Sequence, residues 1–542
     1  MIDVKLIKDP IYGYIKIPER YVGDIVDTAV FQRLRRIVQT SYSPLYPSSV
    51  HNRFAHAIGV YHLGKIAGDT LTAEIKKNDK IGNMKNWHDI NDIFSISCLL
   101  HDVGHVPFSH TGEKFYKNDA QYKELHMVLT KLVDSSDFTS DVPCDDSKFA
   151  APHEIMSAII GVENFSGFFG DSFDREFFVR CITGYKFSNN GIEHSLYNCY
   201  ISLLKSEVID VDRLDYLIRD AYFTGFDTVK IDYERLLANI TICTPYADDT
   251  YELAYHKRAI SVIENFVYSH DFERKWIQNH PSILYDMYLL QHIISKLDEK
   301  FKGELFSIDC LSVKGKRLNE FFTMTLLCDD DIISLMKSNC TDELSMEYFS
   351  RRNRKCPLWK TEAEYKAFCL GIVGSGDALT SFENALKETE LYLRKNTDEW
   401  IINNATIERL QDDIKRLKSI DPSSLKGDTI KKQKESKEQI LKVMECLSDY
   451  AESKGEPCDF VVLTAKQFYS GFNNKDFTKI NILFPYERDE KGVKIKKFGD
   501  VVTSLSGNEK SGDDFFYIFY PRDAKGTYEK EEICRSLFRK LI

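Results

Sequence analysis

The sequence predicts a mostly α-helical protein with a small C-terminal α+β lobe. Through most of the chain, apolar residues recur every three or four positions, which is the spacing of an amphipathic helix. Short β-branched or aromatic runs bounded by Gly, Asn, Asp and Pro replace that spacing near the C-terminus. We therefore predict a helical core at 1–300, a helical extension with a charged excursion at 301–455, and an α+β lobe at 456–542.

Composition indicates an ordinary globular protein. The chain has 542 residues, of which 43% are hydrophobic and 29% charged, and its net charge is -11. An acidic balance argues against a general nucleic-acid binder, so single-stranded nucleic acid is compatible with a local basic cleft but not indicated. Thirteen cysteines without CxxC spacing indicate a reducing, cytoplasmic location. We expect no membrane span and no secretory signal.

The elements before residue 300 follow from local patterns. A β-like run at 11–17 opens the chain, and helices dominate after it. The polar, acidic stretch 134–146 predicts a surface loop. Pro152 suits the first turn of the next helix. The Phe- and Gly-rich stretch 165–178 predicts a loop with a short helix.

Charged residues dominate the stretch 409–447. It predicts either two antiparallel helices joined at 422–424 or a partly mobile excursion, and solvation of its charges is the simpler interpretation. A terminal helix is expected from about Lys530. The predicted strands between these helices are 460–463, 480–484 and 515–520.

Side chains that can bind a metal or transfer a proton are concentrated in the run LLHDVGHVPFSH at 99–110. Apolar residues before it recur at helical spacing, and Gly104 and Pro107 end that helix, so His101 and Asp102 are expected near its C-terminal end. An adjacent His-Asp pair offers an imidazole nitrogen and a carboxylate oxygen, which divalent or iron-type ions accept. Two neighbouring ligands do not complete a site, so further ligands are expected elsewhere in the chain.

Candidates for these ligands lie on both sides of the run. His56 stands at the head of an amphipathic helix and is expected to point inward. Asp212 lies in an apolar helical run at 208–220, where a carboxylate needs a cation or a metal. A single histidine on an apolar helix is more often a hydrogen-bonded core residue, but the order H…HD…D formed with His101 and Asp102 favours a metal site. The donors suit iron, manganese, zinc, nickel or magnesium.

Five motifs follow one another in the first half of the chain. They are DPIYGYI at 9–15, IVDT and FQRLR within 25–35, HNRFAH at 51–56, HDVGHVPFSH at 101–110, and DVDR with DY within 210–216. This pattern resembles the HD-domain metal phosphohydrolases, and more narrowly the deoxynucleoside-triphosphate triphosphohydrolases of the SAM-and-HD-domain type and the bacterial dGTPase-like proteins. The resemblance implies an HD-domain helical core, a dNTP substrate hydrolysed to deoxynucleoside and inorganic triphosphate, and metal ligands at His56, His101, Asp102 and Asp212.

The resemblance also implies catalytic roles. Arg53 matches a phosphate-binding arginine, since a guanidinium donates paired hydrogen bonds to phosphate; the alternative is a surface arginine at a helix start. His110 and His153 are candidates to protonate the leaving oxygen, and His126 is an alternative to His153. Asp210 matches a residue that assists the catalytic network. The neighbouring His105 is expected to orient a ligand.

Substrate contacts are implied by the same resemblance. Asp220 and Tyr216 are among the implied contacts, but they could instead be helix-core residues whose hydrogen bonds are satisfied within the protein. The pattern departs from the family near His280, because Gln278 stands where the family has tyrosine and Pro281 where it has lysine. A tyrosine under the ribose C2′ would exclude a 2′-hydroxyl. The implied residues are Gln39 for the sugar 3′-hydroxyl, Arg53, Arg213, Tyr216, Asp220 and His280.

A regulatory site is implied at the N-terminus. Asp27 can accept hydrogen bonds from guanine N1–H and N2–H₂, while Arg35 and Gln32 can address O6 and N7, and Lys5 matches a phosphate contact. The resemblance then implies a GTP or dNTP effector and a homo-oligomer, either dimer, tetramer or hexamer. The alternative is that Asp27 and Thr28 cap the following helix while Arg35 pairs with Asp27.

Two other functions remain open. The chain could be a different HD phosphohydrolase, such as a nucleoside monophosphatase or a cyclic-nucleotide or alarmone hydrolase. It could also be a non-catalytic HD protein that binds nucleotide.

Overall fold

A computed structural model of the chain is mostly helical, as the sequence predicts. It has two compact units, the first made of 1–273, 294–339 and 470–510 and the second of 274–293, 340–469 and 511–542. In the ranges it describes, every helix is too short or too polar to cross a bilayer. The structure describes all residues other than 1–2, 117–118, 144–148, 190, 227–229, 245–249, 340–342, 362, 368–376, 397–399, 420–426, 466–473, 490–491, 503–514, 522–527 and 542.

Helices of eight or more residues make up most of both units. In chain order they are Arg53–Lys76, Trp87–Leu100, Asp119–Val133, Pro152–Asn164, Ser172–Thr183, Ile192–Leu204, Val211–Thr224, Ile260–Glu273, Pro281–Lys300, Asp329–Asn339, Glu343–Ser350, Asp377–Asn396, Asn404–Lys418, Gly427–Ser453 and Lys530–Leu541. The shorter helical turns include Glu19–Tyr21, Val22–Val26, Ala29–Gln32, Arg33–Arg36, Asp79–Gly82, His110–Glu113, Lys114–Tyr116, Ser136–Asp141, Ser166–Phe168, Tyr233–Leu237, Lys257–Ala259, Arg274–Gln278, Ile308–Leu311, Asn474–Phe477 and Phe498–Val501.

The strands form small, separate sheets. An N-terminal hairpin pairs Val4–Asp9 with Gly13–Pro18, and a short one pairs Lys316–Arg317 with Thr323–Met324. In the second unit, Phe515–Tyr520 lies between Cys356–Pro357 and Val461–Ala465. The first unit has a four-stranded sheet in the order Gly492–Lys497, Asn481–Asp489, Glu252–His256 and Ile240–Cys243.

The C-terminal strands do not form one lobe at 456–542. Asn481–Asp489 pairs in parallel with Glu252–His256 and belongs to the first unit, whereas Phe515–Tyr520 belongs to the second. The prediction of three consecutive segments therefore differs from the observed division. The physical reason is that a parallel pairing joins strands far apart in sequence, and nothing in either strand's own pattern names its partner.

One predicted loop contains a helix, and one predicted short helix is followed by a longer helix. Within 134–146, Ser136–Asp141 is helical because Ser135 Oγ accepts a hydrogen bond from Phe138 N (3.2 Å), and Phe138 is buried. Within 165–178, a short helix is observed at Ser166–Phe168 as predicted, and a helix of twelve residues begins at Ser172 after its cap, Asp171.

The charged stretch 409–447 contains two antiparallel helices, Asn404–Lys418 and Gly427–Ser453. Gln411 Nε2 donates to Glu445 Oε1 (3.0 Å), and Lys437 Nζ lies 2.5 Å from Asp413 Oδ2. The first of the two predicted arrangements is therefore observed, and the expected joint at 422–424 lies outside the described residues.

The core of the first unit depends on close helix packing. A Cβ built on Gly59 would stand 2.0 Å from Asp215 Oδ1, so glycine at this position lets Arg53–Lys76 approach Val211–Thr224. A Cβ on Gly64 would stand 2.4 Å from Cys98 Sγ in Trp87–Leu100. These contacts bring together the three helices whose ends carry the predicted ligands.

Candidate metal centre

Three helix ends supply the four predicted ligands. His56 lies in the first turn of Arg53–Lys76, where Asn52 Oδ1 accepts a hydrogen bond from Ala55 N (3.1 Å). His101 is the C-cap of Trp87–Leu100, and Asp102 follows it. Asp212 lies in the first turn of Val211–Thr224. The structure therefore brings together residues that are up to 156 positions apart.

Donor atoms of these residues lie close to the two histidine Nε2 atoms. His56 Nε2 lies 3.3 Å from His101 Nε2, 3.5 Å from Asp102 Oδ2 and 3.1 Å from Asp212 Oδ1. His101 Nε2 lies 3.4 Å from Asp102 Oδ1 and 3.7 Å from Asp212 Oδ1. Ligands held at about 2.1 Å from one ion stand roughly 3.0 to 3.4 Å apart at adjacent coordination positions. His56, His101 and Asp102 are thus spaced to hold one ion, and Asp212 offers a further oxygen beside His56.

Both histidines are held in the tautomer that a metal needs. His56 Nδ1 lies 2.7 Å from Asp215 Oδ2, and His101 Nδ1 lies 2.9 Å from the carbonyl oxygen of Cys98. Because a carboxylate and a carbonyl only accept, each Nδ1 carries a proton and each Nε2 is left to face the centre. Two ring nitrogens that face each other at 3.3 Å need a positive charge between them, either a proton or a metal ion.

The electrostatics of the cluster favour such a charge. Burial lowers the pKa of His56, but hydrogen bonds to Asp212 and Asp215 outweigh it and raise the pKa to about 9. Burial opposes ionisation of Asp102, yet Arg53 and the neighbouring histidines hold its pKa well below the usual range. Hydrogen bonds from the histidines likewise hold the pKa of Asp212 low against burial. The two carboxylates are therefore anionic and attract a cation.

The predicted phosphate-binding arginine contacts a candidate ligand. Arg53 Nη1 lies 2.5 Å from Asp102 Oδ2, and its Nε donates to Ser109 Oγ (2.9 Å). Its Nη2 donates to the carbonyl oxygen of Gln39 (3.3 Å). The side chain is buried, so the surface alternative is wrong and Arg53 lies beside the candidate metal centre.

Three histidines and a glutamate form a second cluster next to Asp102. Glu113 Oε1 accepts a hydrogen bond from His153 Nδ1 (2.9 Å), and Oε2 accepts one from His110 Nδ1 (3.0 Å). His105 stacks on His153 with ring centroids 4.1 Å apart, and its Nε2 lies 3.3 Å from Asp102 Oδ1. The cluster connects the two candidate proton donors to a candidate ligand.

This second cluster suits proton transfer better than a second ion. Asp102, His105 and His153 could be grouped around an ion by distance alone, but the rings of His105 and His153 are stacked with an angle of 17° between them, so their in-plane lone pairs lie in nearly parallel planes. Burial lowers the pKa of His153, and the adjacent Glu113 carboxylate outweighs it and raises the pKa. Burial lowers the pKa of His105 well below its ordinary value. The pKa of His153 is thus raised, whereas burial lowers those of His105 and His110.

The alternative to His153 lies elsewhere. His126 stacks on Phe149 at 4.1 Å, and its Nε2 lies 3.2 Å from Tyr185 Oη. It is a buried histidine with its own partners, which favours His153 in the choice that the sequence left open.

The remaining predicted residues of the first unit lie on or near Val211–Thr224. Asp210 caps that helix by accepting from Arg213 N (2.8 Å), and it also accepts from Arg213 Nη1 (3.0 Å). Burial raises the pKa of Asp210 despite this arginine. Tyr216 and Asp220 follow Asp212 at intervals of four, so these three share one face.

Unsatisfied polar atoms lie near this face. Asp220 Oδ1 lies 2.7 Å from His51 Nε2. The alternative that Asp220 is a hydrogen-bonded core residue is therefore observed for one of its two oxygens. Gln39 N donates to the carbonyl oxygen of His51 (2.9 Å). Within the described part of the chain, Gln39 Oε1, His51 Nδ1 and Asp220 Oδ2 are buried without a hydrogen-bond partner. Such atoms indicate a place where a polar ligand would supply the missing bonds.

The predicted effector residues form two exposed pairs. Lys5 Nζ lies 3.7 Å from Asp27 Oδ2. Arg35 Nε donates to Gln32 Oε1 (2.8 Å) and its guanidinium stacks over Phe54. The capping alternative is observed in part, since Thr28 rather than Asp27 accepts from Phe31 N (3.4 Å), and Arg35 pairs with Gln32.

His280 lies in the second unit. Its Nδ1 accepts a hydrogen bond from Ser282 N (3.2 Å) at the start of Pro281–Lys300. The structure thus gives His280 a local helix-start partner.

Sequence reasoning assigned no role to Glu113 and Asp215. Glu113 stands three residues after His110, and Asp215 stands three after Asp212 and four before its partner Arg219 (2.8 Å). An acidic residue at helical spacing from a candidate histidine or ligand is the pattern that could have found both.

Sequence comparisons find relatives that match about half of the chain. No protein-family model matches the chain. The uncharacterized protein MG461 of Mycoplasma genitalium is 28% identical over 270 residues, which is 48% of this chain and 52% of that protein. The deoxynucleoside triphosphate triphosphohydrolase SAMHD1 homolog of Dictyostelium discoideum is 30% identical over 244 residues, 43% of this chain and 39% of that protein. The chain spans about half the length of the curated relatives it matches.

A solved structure supports the same fold. The crystal structure of a phosphohydrolase from Bacteroides thetaiotaomicron has a TM-score of 0.52 at 20% identity and covers 96% of this chain and 100% of its own. The similarity to the Dictyostelium protein, together with the grouping of His56, His101 and Asp102, supports the HD phosphohydrolase superfamily. Within that class, the Dictyostelium homolog is a relative whose name states an activity.

Proposed function

We propose that the protein is a metal-dependent hydrolase that converts a deoxynucleoside triphosphate to the deoxynucleoside and inorganic triphosphate. The observation that carries the proposal is the set of four donor residues, with donor atoms 3.1 to 3.7 Å from their neighbours and both histidine tautomers fixed. These residues are His56, His101, Asp102 and Asp212. The name of the Dictyostelium relative adds the substrate class.

In this reaction the oxygen of water bonds to the α-phosphorus, the bond to the 5′-oxygen breaks, and a proton reaches that oxygen. An ion held by these four residues would supply Lewis-acid stabilisation of charge on the phosphate, and the donor set suits iron, manganese, zinc, nickel or magnesium. His110, whose side chain is 63% exposed, is the group that we assign to protonate the 5′-oxygen, with His153 as the alternative donor. Glu113 orients both rings.

Substrate contacts are part of the proposal. Gln39 and Asp220, with their unsatisfied oxygens, are assigned to the sugar. Arg53 and Arg213 are assigned to the phosphates, with Tyr216 between them and the sugar. A substrate contact at His280 stays a prediction from the family pattern, since the partner of His280 in the structure is local.

An effector site is a further part of the proposal. Lys5, Asp27, Gln32 and Arg35 present paired charges and an amide at the surface, and a guanine nucleotide would replace these internal pairs with its own bonds. A bound effector shared between chains would favour a homo-oligomer.

The test is incubation of the purified protein with each of the four dNTPs and each of the five metals, followed by separation of the products. We expect deoxynucleoside and intact triphosphate. Release of orthophosphate from a monophosphate, or cleavage of a cyclic nucleotide or an alarmone, would instead indicate one of the other HD phosphohydrolases. Nucleotide that is bound but unchanged with every metal would indicate the non-catalytic alternative.

A further inference from the structure

The segment that leads into His110 has an uncommon backbone conformation. Phe108 and Ser109 have φ values of 58° and 53°, in the left-handed region that residues with a Cβ rarely adopt. Such residues keep this conformation only where surrounding contacts fix it. The contacts that fix Phe108 and Ser109 therefore also fix the point at which His110 begins its helix.

One distant carboxylate supplies such a contact and reaches a second segment as well. Asp329 is buried, and its Oδ1 accepts a hydrogen bond from Phe108 N (2.7 Å). Its Oδ2 accepts from Val38 N (2.9 Å), the residue before Gln39. Ser109 Oγ also donates to the carbonyl oxygen of Val38 (2.5 Å). The two segments are thus joined directly and through Asp329.

A buried arginine, Arg33, fixes the backbone just before Asp329. Arg33 Nη1 donates to the carbonyl oxygen of Leu327 (2.9 Å), and its Nη2 donates to that of Val103 (2.7 Å). Val103 directly follows the candidate ligand Asp102. Residues 327–329 are therefore fixed to the start and to the end of the same loop.

We propose that Asp329 is a positioning residue, whose carboxylate sets the distance between the segments that carry Gln39 and His110. The inference rests on the proposed function, in which these two side chains meet the sugar and the leaving oxygen of one substrate. Asp329 acts through two backbone amides, so its effect reaches the substrate only through the residues that it positions.

The test uses Asp329→Asn, which keeps the side-chain volume. One oxygen becomes an NH₂ group that cannot accept from an amide, so at least one of the two bonds is lost. We expect the rate of dNTP hydrolysis to fall about 10- to 100-fold, because small displacements of reacting groups are costly, while bound metal stays at the wild-type level. Asp331→Asn is the matched control, since Asp331 Oδ2 accepts from Cys328 N (2.8 Å) at the same helix start.

Two further readouts separate positioning from general stability. Amide hydrogen exchange should become faster at Val38, at Phe108 or at both in Asp329→Asn, and at neither in Asp331→Asn. In a His110→Ala background, Asp329→Asn should lower the rate of hydrolysis much less than it does in the wild type. The effects of two substitutions are not additive when one residue acts through the other.

The outcomes decide between the two proposals. Unchanged exchange at both amides, or an equal fold-loss with and without His110, would overturn the role of Asp329. A wild-type protein that hydrolyses no dNTP would overturn the proposed function, and the exchange measurement would still decide whether Asp329 fixes the two segments.

Discussion

At the scale of single residues, the candidate metal centre is defined by which nitrogens carry protons. Asp215 accepts a hydrogen bond from His56 Nδ1, and the carbonyl oxygen of Cys98 accepts one from His101 Nδ1. The Nε2 atoms of the two rings then face each other at 3.3 Å. With a metal ion between them, these nitrogens become ligands. The hydrogen bonds made by the Nδ1 atoms thus leave the Nε2 atoms available to bind a metal.

Replacing a ligand should therefore remove the metal. Loss of a group that only orients a ligand costs about 10- to 100-fold in metal affinity, so we expect His101→Ala and Asp102→Ala each to lose more than this and to abolish turnover, measured by elemental analysis and a dNTP assay. His62→Ala is the control, because His62 lies in the same helix as His56 and packs on Tyr12 (5.2 Å). A stoichiometric amount of metal in both ligand variants would contradict the assignment.

Replacing the proton donor should leave the metal in place. His110→Ala removes a group that contacts Glu113 and no candidate ligand in the hydrogen bonds of the described residues. We expect hydrolysis to fall on the order of 10²- to 10⁴-fold with normal metal content. His126→Ala, a histidine bound to Tyr185, should retain most of the activity. Loss of metal from His110→Ala would place that histidine among the ligands.

Asp329 should make stability depend on pH. Burial raises its pKa from 3.8 to about 7, against the lowering effect of the two amides. The folded protein therefore holds a proton that the unfolded chain releases, so this residue's contribution to stability is greatest below about pH 4 and is lost as the pH rises towards 7. The change is of the order of 4 kcal/mol.

Chemical unfolding at several pH values checks this sign. Asp329→Asn has no titrating group there, so its stability relative to the wild type should rise between about pH 4 and 7. The Asp331→Asn control should follow the wild type throughout. An Asp329→Asn variant with the wild-type pH dependence would show that another group is responsible.

At the scale of elements, the ends of the helices were the predictable part of the site. The helix before His101 ends at Leu100, shortly before Gly104 and Pro107, while Asn52 and Asp210 cap the helices that carry His56 and Asp212. These are local effects, and sequence reasoning located all three helices. Asp329 was not predictable in the same way, because its partners Phe108 and Val38 are 221 and 291 positions away.

The close approach of Arg53–Lys76 and Val211–Thr224 at Gly59 predicts the effect of a larger side chain there. In Gly59→Ala, the new Cβ would overlap Asp215 Oδ1 and Arg219 Nη2, at 2.0 and 2.4 Å. Helix propensity favours alanine by roughly 0.5 to 1 kcal/mol, but overpacking costs about 1 to 3 kcal/mol, so we expect a net loss of stability. Because Asp215 orients His56, metal affinity should fall as well.

Gly23→Ala is the control for that variant. A Cβ at Gly23 meets nothing within 4 Å, so its thermal unfolding and metal content should match or exceed those of the wild type. Equal behaviour of the two variants would contradict the close approach of Arg53–Lys76 and Val211–Thr224.

At the scale of the whole molecule, local patterns predicted the helical class and not the division into units. The runs 480–484 and 515–520 both contain strands as predicted, yet one pairs with Glu252–His256 and the other with Val461–Ala465. Period and composition determine the type of an element. The choice of partner depends on contacts between distant segments, which a single sequence does not record.

The exposed N-terminal surface is where we expect a nucleotide to control assembly. The side chains of Lys5 and Asp27 are 49% and 55% exposed, and Leu6 on the same strand is 54% exposed. If a guanine nucleotide bridges this surface to a second chain, it stabilises the oligomer by mass action, since it binds the assembled form and not the separate chains. GTP or a dNTP should then raise activity towards another dNTP and increase the mass measured by light scattering.

Two variants test whether that response depends on the proposed effector residues. Asp27→Ala should abolish both the activation and the increase in mass while keeping its metal, because Asp27 is assigned to the guanine edge and not to the ion. Asp24→Ala is the matched control: Asp24 is an exposed acid three positions earlier whose side chain pairs with Arg20 (3.9 Å), so it should respond to nucleotide as the wild type does. Since Asp24 and Asp27 carry the same charge, a loss of response in both variants would point to general surface charge and not to guanine recognition. Equal rates and one fixed mass with every nucleotide would rule out the effector site.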